Sequence, residues 1–530
     1  MDPNQPPLVF GGLGPAIPSA TPYGLEDYLA SGVGLLPGLE ATALGGALPM
    51  GVISEQQLEA WSTASGSQAV SITGLPWDSA LAGLSGACSP TGPYCCPCPP
   101  PPAPVPCDPV EKSSPPCPCS TGVCEVCKCT GLLVKSTSLG DGDVRSSSGI
   151  SNLLQWSNNA GLAGQAIAGS GWRMGGTPRL LLRQSDYLGA RSIALPFGGT
   201  DIRTFERSCN DPNLYVRAVA AGPTDVIRRV GQELRYLGAD GSTIRFADFS
   251  TAVAGLQRGQ YLGQGDAAGN RVEATLNANG SIAQLRSFRV DGASADEVQS
   301  FSYSGASTTT PGRLSEVRTS RGDGTLLRRA ELSYFTGTTS AGGVVIGRAG
   351  DLREVVVRDG AGGVLERSAF RYSTDSRGRS LLAYVLDDDS QRRLAAAGLD
   401  RNTVSNSQLA PYAMDFFAYD SQNRVNRHDQ QGTGCTTCTG GIGTTTTSYF
   451  MRSGGGSGFN SWRFRTTETG PDGNQTITYS NGSGQTMLEV RKVLVDPANP
   501  ALVGKQWGTF TAYDPSTGLT ALQATPESVL

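Results

Sequence analysis

Histidine is almost missing from this chain: His428 is the single one in 530 residues. That removes the commonest ligand of metal sites and the usual base of Ser-His or Cys-His catalysis. Charge is scarce as well, 17% Asp, Glu, Lys and Arg against roughly 25% in an average soluble domain. A chain with charge in deficit and turn formers in excess is not a coiled coil or a helical bundle. The net charge of −4 and pI of 5.4 leave no electrostatic case for nucleic-acid binding. Long apolar runs are missing too. The most apolar stretch, residues 29–53, is broken by Pro37, Glu40 and Pro49, whereas a membrane span takes about 20 predominantly apolar residues. The first ten residues contain three prolines and no basic group, so they do not read as a secretory signal.

Turn formers are what the chain has in excess. It holds 70 Gly and 33 Pro, together about 19% against a usual 12%, and they are unevenly used. Before Thr130 there are ten acidic residues, two lysines and no arginine, a balance of −8, while the rest of the chain is slightly basic. Thirteen of the 29 residues from Pro90 to Pro118 are proline. Proline fixes φ and lacks an amide donor, so this tract is an extended spacer and residues 1–137 read as a largely disordered extension. A capping box, Ser54 with Gln57, predicts one short helix within it.

Ten of the thirteen cysteines crowd this tract and its two ends. Cys117, Cys119, Cys124, Cys127 and Cys129 are close enough for four thiolates to close a zinc site. The spacing lacks the gap of about 15–20 residues that separates the knuckles of a zinc ribbon. Disulfides and an unliganded low-complexity tract stay open beside the metal.

From about residue 138 the chain reads as consecutive antiparallel β-hairpins. Asp240-Gly241, Asn279-Gly280, Asp323-Gly324, Asp359-Gly360, Asp472-Gly473 and Asn481-Gly482 punctuate it, as do Asp141-Gly142 and Asp291-Gly292. Such pairs predict two-residue turns with φ > 0 at both central positions. Short runs rich in Val, Ile, Thr, Tyr and Phe flank them, for instance QTITY at 475–479, whose alternation sets Ile477 and Tyr479 on one face. Whole units follow one another: YLGADGSTIRF at 236–246, LNANGSIAQLRSF at 276–288, FAYDSQNRVNR at 417–427, TYSNGSGQTMLEVRK at 478–492 and AYDPSTGLTAL at 512–522. Each leaves an apolar face for its neighbour to cover, the logic of a repeat protein.

The Tyr-Asp units FAYDSQNRVNR and TAYDPSTGLTAL resemble those of the Rhs/YD-repeat family, and the glycine-turn units resemble its more degenerate repeats. Residues 150–205, with Trp156, Asn158, Gly171-Trp172 and Pro178, resemble the non-repetitive lead-in of that family, and GTGCTTCTGGIGTTTTSYF at 432–450 resembles a Cys-containing unit of its large bacterial members. The resemblance covers roughly residues 140–530. It implies a mostly β fold in which a sheet strip spirals into a shell around an effector, often a toxin. It divides the chain into a lead-in at 138–230 and a repeat region at 231–530. The core segment and effector domain of complete members are not found here, and YDPSTGL at 513–519 reads as an ordinary repeat unit and not as an autocleavage region.

Isolated motifs give no catalytic residue. Adjacent strand residues face opposite ways, so His428 and Asp429 do not make a pair, and His428 reads as a surface or turn residue. Cys435 and Cys438 form a C-x-x-C without a helix to lower a thiol pKa; a loop disulfide or idle thiols fit better, and Cys209 reads as a small buried hydrophobe. Asp387-Asp388-Asp389 lacks the spacing of a calcium loop, and instead Asp389 or Ser390 caps a helix over 391–397 that stops at Gly398. The Gly-rich 453–458 lacks a following Lys-Ser/Thr, and Arg321-Gly322-Asp323 is a turn.

The leading expectation is a non-enzymatic structural repeat protein without cofactor, part of an Rhs-type shell whose interior or sheet edge meets a protein partner or effector cargo. Two alternatives remain: a carbohydrate-binding or adhesion module using Trp462, Trp507 and exposed Tyr, and a thiol or metal protein built on residues 117–129. The resemblance favours the cell surface or exterior, against the lack of a signal sequence. A truncated gene product fits the sequence equally.

Overall fold

The structure is a computed structural model. It describes residues 126–525 apart from 128–129, 140–152, 159–166, 187–188, 198–200, 209, 218–224, 239, 291, 308–311, 435–440, 454–457 and 516–518. The chain is mostly β, as expected. Strands β1 (Val134–Ser138), β2 (Leu153–Ser157) and β3 (Trp172–Met174) form a small antiparallel sheet. Its first strand lies on the N-terminal side of the boundary expected at 138. Strands β17 (Thr339–Ala341) and β18 (Val344–Gly347) make a separate hairpin.

The other twenty-four strands, β4 (Leu181–Asp186) to β16 (Leu326–Tyr334) and β19 (Leu352–Asp359) to β29 (Thr520–Ala524), form one sheet that wraps into a barrel. Ladders run unbroken and antiparallel from β4 to β29, each strand beside its neighbours in sequence. The strand order brings β29 back beside β4, and both of these strands are largely exposed. At about 4.8 Å per strand the wall measures roughly 115 Å around. A sheet of that extent buries one face only by curving, and a single hydrophobic cluster follows its inner face from Ile193 to Val425. Strands β4 to β8 (Val226–Val230), the expected lead-in, belong to the same sheet as the repeat units.

The hairpin units fall where the sequence puts them, but their turns are of another type. Gly241 donates its N–H to Gly238 O at 3.1 Å, Gly238 N–H returns to Ser242 O at 2.8 Å, and of the Asp240-Gly241 pair only Gly241 has positive φ, 79°. The corner is closed by one left-handed glycine, and it is not a two-residue turn with both residues left-handed. The Asp carboxylate decides the matter: Asp240 Oδ1 accepts the Ser242 N–H at 2.9 Å, which holds Asp240 in an ordinary conformation. Asp359, Asp375, Asp420 and Asn481 instead open their turns and accept N–H groups two and four residues on. Asn423, φ 62°, is the one non-glycine residue with positive φ among the described residues.

Tyrosines tie successive units together through β14 (Glu297–Ser304), β15 (Arg313–Arg321), β20 (Val364–Thr374), β21 (Ser380–Leu386), β22 (Asp415–Tyr419), β23 (Val425–Gln431) and β24 (Ile442–Met451). Tyr303 pairs in register with Leu314, and the Tyr334 hydroxyl donates to Leu314 O. Tyr334 pairs with Leu352, and Tyr372 donates to Leu352 O at 2.8 Å. Tyr372 pairs with Leu382, and Tyr419 donates to Leu382 O at 2.6 Å. Tyr419 pairs with Val425, and Tyr449 donates to Val425 O at 2.6 Å. Each of those four pairings sits at a bulge in the ladder, so every unit satisfies a carbonyl beside the irregularity of the unit before it. Burial raises the pKa of all five phenols, which keeps them protonated donors.

One helical excursion covers the outer face. Helix α1 (Asp388–Ala396) starts earlier than expected because Asp387, in extended backbone, is the N-cap, its Oδ1 accepting the Ser390 N–H at 2.8 Å. Asp388 and Asp389 therefore lie in the first turn, where negative charge meets the helix dipole favourably. With α2 (Asn406–Leu409) it packs Leu394, Val404 and Leu409 over Ala369, Ala383 and Leu386 of β20 and β21. No helix among the described residues is long and apolar enough to cross a membrane.

Candidate functional site

The feature that gives the wall an inside is the sheet β1–β3. Alternation along it turns Leu154, Trp156, Trp172 and Met174 into the core shared with the inner face of the wall. Trp172 is fully buried, its ring centroid 4.7 Å from that of Phe370. Its Nε1–H donates to the Tyr372 hydroxyl at 2.8 Å, which in turn donates a hydrogen bond to Leu352 O. The docked sheet thus extends the tyrosine relay of the wall.

Main-chain hydrogen bonds stitch the docking at several strands. Leu314 N–H donates to Ile167 O at 2.8 Å, Val425 N–H to Gly131 O at 2.9 Å, and Leu180 N–H to Gly259 O at 2.8 Å. Asn158 accepts from Leu133 N–H at 3.0 Å and donates through Nδ2 to Asn423 O at 2.6 Å. Gly131, φ 68°, lies so close to the wall that a Cβ there would stand 2.5 Å from Arg424 Cβ and 2.7 Å from Tyr449 Cζ. Glycine at 131 is therefore a condition of contact, for reasons of both conformation and space.

One buried cluster of charge sits at this interface. Lys135 Nζ of β1 lies 2.7 Å from Asp415 Oδ2 of β22, with the two side chains 8% and 0% exposed. His428 Nε2 of β23 is 2.9 Å from Asp415 Oδ1, and its ring stacks on Phe417 at 4.6 Å. Burial pushes the Asp415 carboxyl up, but the His428 hydrogen bond and the Lys135 charge outweigh it, and its pKa lies below the usual carboxylate range. The cluster joins two strands of the wall to one strand of the docked sheet.

His428 is thus no surface residue: its side chain is 17% exposed and reaches Asp415 on the adjacent strand. It does not pair with Asp429, which binds Arg427 and Thr444. The link to Asp415 was legible once the turn at Asp420 fixed the register, because Phe417 then faces His428 and Asp415 lies diagonal to it. Lys135 carries no such signal.

Of the candidate thiol set, Cys127 is 1% exposed, and its carbonyl accepts the Gly131 N–H at 2.7 Å in the turn before β1. Cys117, Cys119, Cys124 and Cys129 lie outside the described residues, as do Cys209, Cys435, Cys438 and the capping box at 54–57. Among the described residues no three His, Cys, Asp or Glu side chains come together as a metal site. Trp462 is 6% exposed and packs edge-on against Tyr479 at 5.4 Å, so it presents no open ring face. Trp507 lines a recess with Glu489, Arg491 and Thr509. Arg321-Gly322-Asp323 is the turn expected, with Gly324 N–H on Arg321 O at 2.9 Å.

No family model and no curated protein matches the chain. Among solved structures it is similar to a porin-like protein from Bacteroides uniformis, at 11% identity and TM-score 0.22, over 57% of this chain and 96% of that one. It is similar also to the TcdB2–TccC3 complex, at 10% identity and TM-score 0.21, over 75% of this chain and 24% of that one. A third is the Tc holotoxin pore of Photorhabdus luminescens, at 10% identity and TM-score 0.13, over 76% of this chain and 23% of that one. The chain spans about a quarter of those two toxin chains. Likenesses this slight fix neither family nor role.

Proposed function

We propose that this protein is a structural repeat protein of the Rhs/YD type, a length of β-shell that encloses or scaffolds a protein partner and performs no chemistry of its own. The observation that carries this reading is the unbroken run of hairpins whose tyrosine hydroxyls each donate to a carbonyl of the preceding unit, with β1–β3 docked on the inner face. Such a wall is built to separate an inside from an outside. Its outer face carries paired charge, for example Glu316, Arg329, Glu331 and Arg358 in one chain of ion pairs, while its inner face is apolar. Trp462, held in a packed cluster, offers a sugar no open ring face.

Limited trypsin digestion followed by small-angle scattering tests the reading. A resistant fragment that begins near residue 126 and extends past Tyr513, and that scatters as a hollow particle, is the expected result. Even digestion through the wall, or scattering by a filled globule, would overturn it.

A further inference from the structure

Where the docked sheet meets one rim of the wall there is a cavity of about 610 Å³. Its docked side is formed by Trp156, Asn158 and Gly171, and its wall side by three turns of successive units, each of which contributes an arginine: Arg313, Arg348 and Arg379. Two carboxylates stand beside them. Asp375 is taken by Arg379, whose Nε lies 2.8 Å from its Oδ2. Asp351 is fully buried and accepts the Arg348 N–H at 2.9 Å and the Ser380 hydroxyl at 2.7 Å, so its charge is held by neutral donors. Arg313 and Arg348 have no ion pair among the described residues, and Arg348 Nε is shut off from solvent without a hydrogen-bond partner.

A buried guanidinium nitrogen without an acceptor is costly, and two unpaired guanidinium groups on one cavity are a frame for a planar or tetrahedral oxyanion. The backbone makes room for them. A Cβ on Gly350, φ 93°, would stand 2.5 Å from Arg313 Nη2. We infer that this cavity binds a small oxyanion, a phosphate or carboxylate group, held between Arg313 and Arg348. Because the site is half wall and half docked sheet, its occupant strengthens the docking of β1–β3.

Titration calorimetry of the intact protein with inorganic phosphate, and separately with succinate, tests this. Saturable binding of at least one is expected, at one site per chain. Arg348→Gln weakens it about tenfold or more, and Arg348→Lys, which keeps the charge and loses the fork, weakens it less. Arg318→Gln, on the outer face in a pair with Glu316, leaves it unchanged. Phosphate binding alone assigns a phosphate ligand and succinate binding alone a carboxylate. Thermal unfolding of each variant separates lost binding from lost fold, and the ligand raises the unfolding temperature of the wild type more than that of Arg313→Gln. No saturable binding by either anion, or binding that Arg348→Gln and Arg318→Gln alter equally, overturns the inference.

Discussion

Replacing Lys135 by Met keeps the length of the side chain and removes its charge from beside a carboxylate that water does not reach. At 2.7 Å and an effective dielectric of 20, the direct attraction is about 6 kcal/mol. Desolvation of both ions offsets much of this, and removing one member of a buried pair typically costs ~3–5 kcal/mol. The His428 contact on the other oxygen remains, which places the expected loss near ~3 kcal/mol. Urea unfolding followed by tryptophan fluorescence reads it directly, since Trp156 and Trp172 both sit in the docked sheet. Asp415→Asn should cost a similar amount, and the double variant less than the sum of the two by at least ~1.5 kcal/mol. A coupling below ~0.5 kcal/mol would mean that the ammonium and the carboxylate do not meet, and the docked position of β1 would fall with it.

Other consequences follow from the same contacts. Tyr372→Phe strands both the Trp172 Nε1–H and the Leu352 carbonyl in the core, for a loss of about 2–4 kcal/mol in chemical denaturation; Tyr513→Phe, whose half-buried hydroxyl serves only Thr486 O, should cost ~1 kcal/mol or less, and equal losses would contradict the relay. Asp420→Ala leaves the Gln422 and Arg424 N–H groups and the Arg424 guanidinium without their acceptor, so a destabilisation of about 1–2 kcal/mol is expected by thermal unfolding. Acid acts through depressed carboxyls. Burial pushes Asp375 up, but hydrogen bonds from Arg379, Asn423 and Arg377 bring it down to about 2, and Asp415 is also lowered. A lowered folded-state pKa contributes stability that is complete above the unfolded value of about 3.9 and disappears as pH falls through the folded value. Unfolding midpoints measured from pH 6 to pH 2 should therefore hold steady to about pH 4 and drop below it; a drop centred above pH 5 would assign the acid sensitivity to other groups.

The wall was legible because its determinants are local. A unit such as FAYDSQNRVNR carries its own turn, bulge and strand pair within eleven residues, and β composition between turn residues is a short-range signal. The turn type was not legible from the Asp-Gly pair alone. That pair marks the corner, but whether Asp leads the turn, as Asp359 does, or precedes the left-handed glycine, as Asp240 does, is settled by which N–H groups its carboxylate accepts. The start of α1 moved for the same reason, since any of three successive aspartates can cap and only Asp387 had extended backbone. The docked sheet was hidden altogether: Trp172 meets Tyr372 across 200 residues, and nothing in the local pattern of either residue points to the other. Two of the landmarks quoted for a resemblance, Asn158 and Trp172, donate hydrogen bonds across to the wall, while Trp156 donates within the docked sheet to Ser170 O. The buried Lys135–Asp415 contact belongs to the same class, a pairing that exists only once the wall has curved.

Hydrogen–deuterium exchange on the intact protein tests the docked, enclosed arrangement most directly. Peptides covering 131–139, 153–158 and 167–180 should exchange as slowly as those covering 352–359 and 364–374 of the wall. Exchange of the first group within seconds, with the wall still protected, would show that β1–β3 does not lie against its inner face.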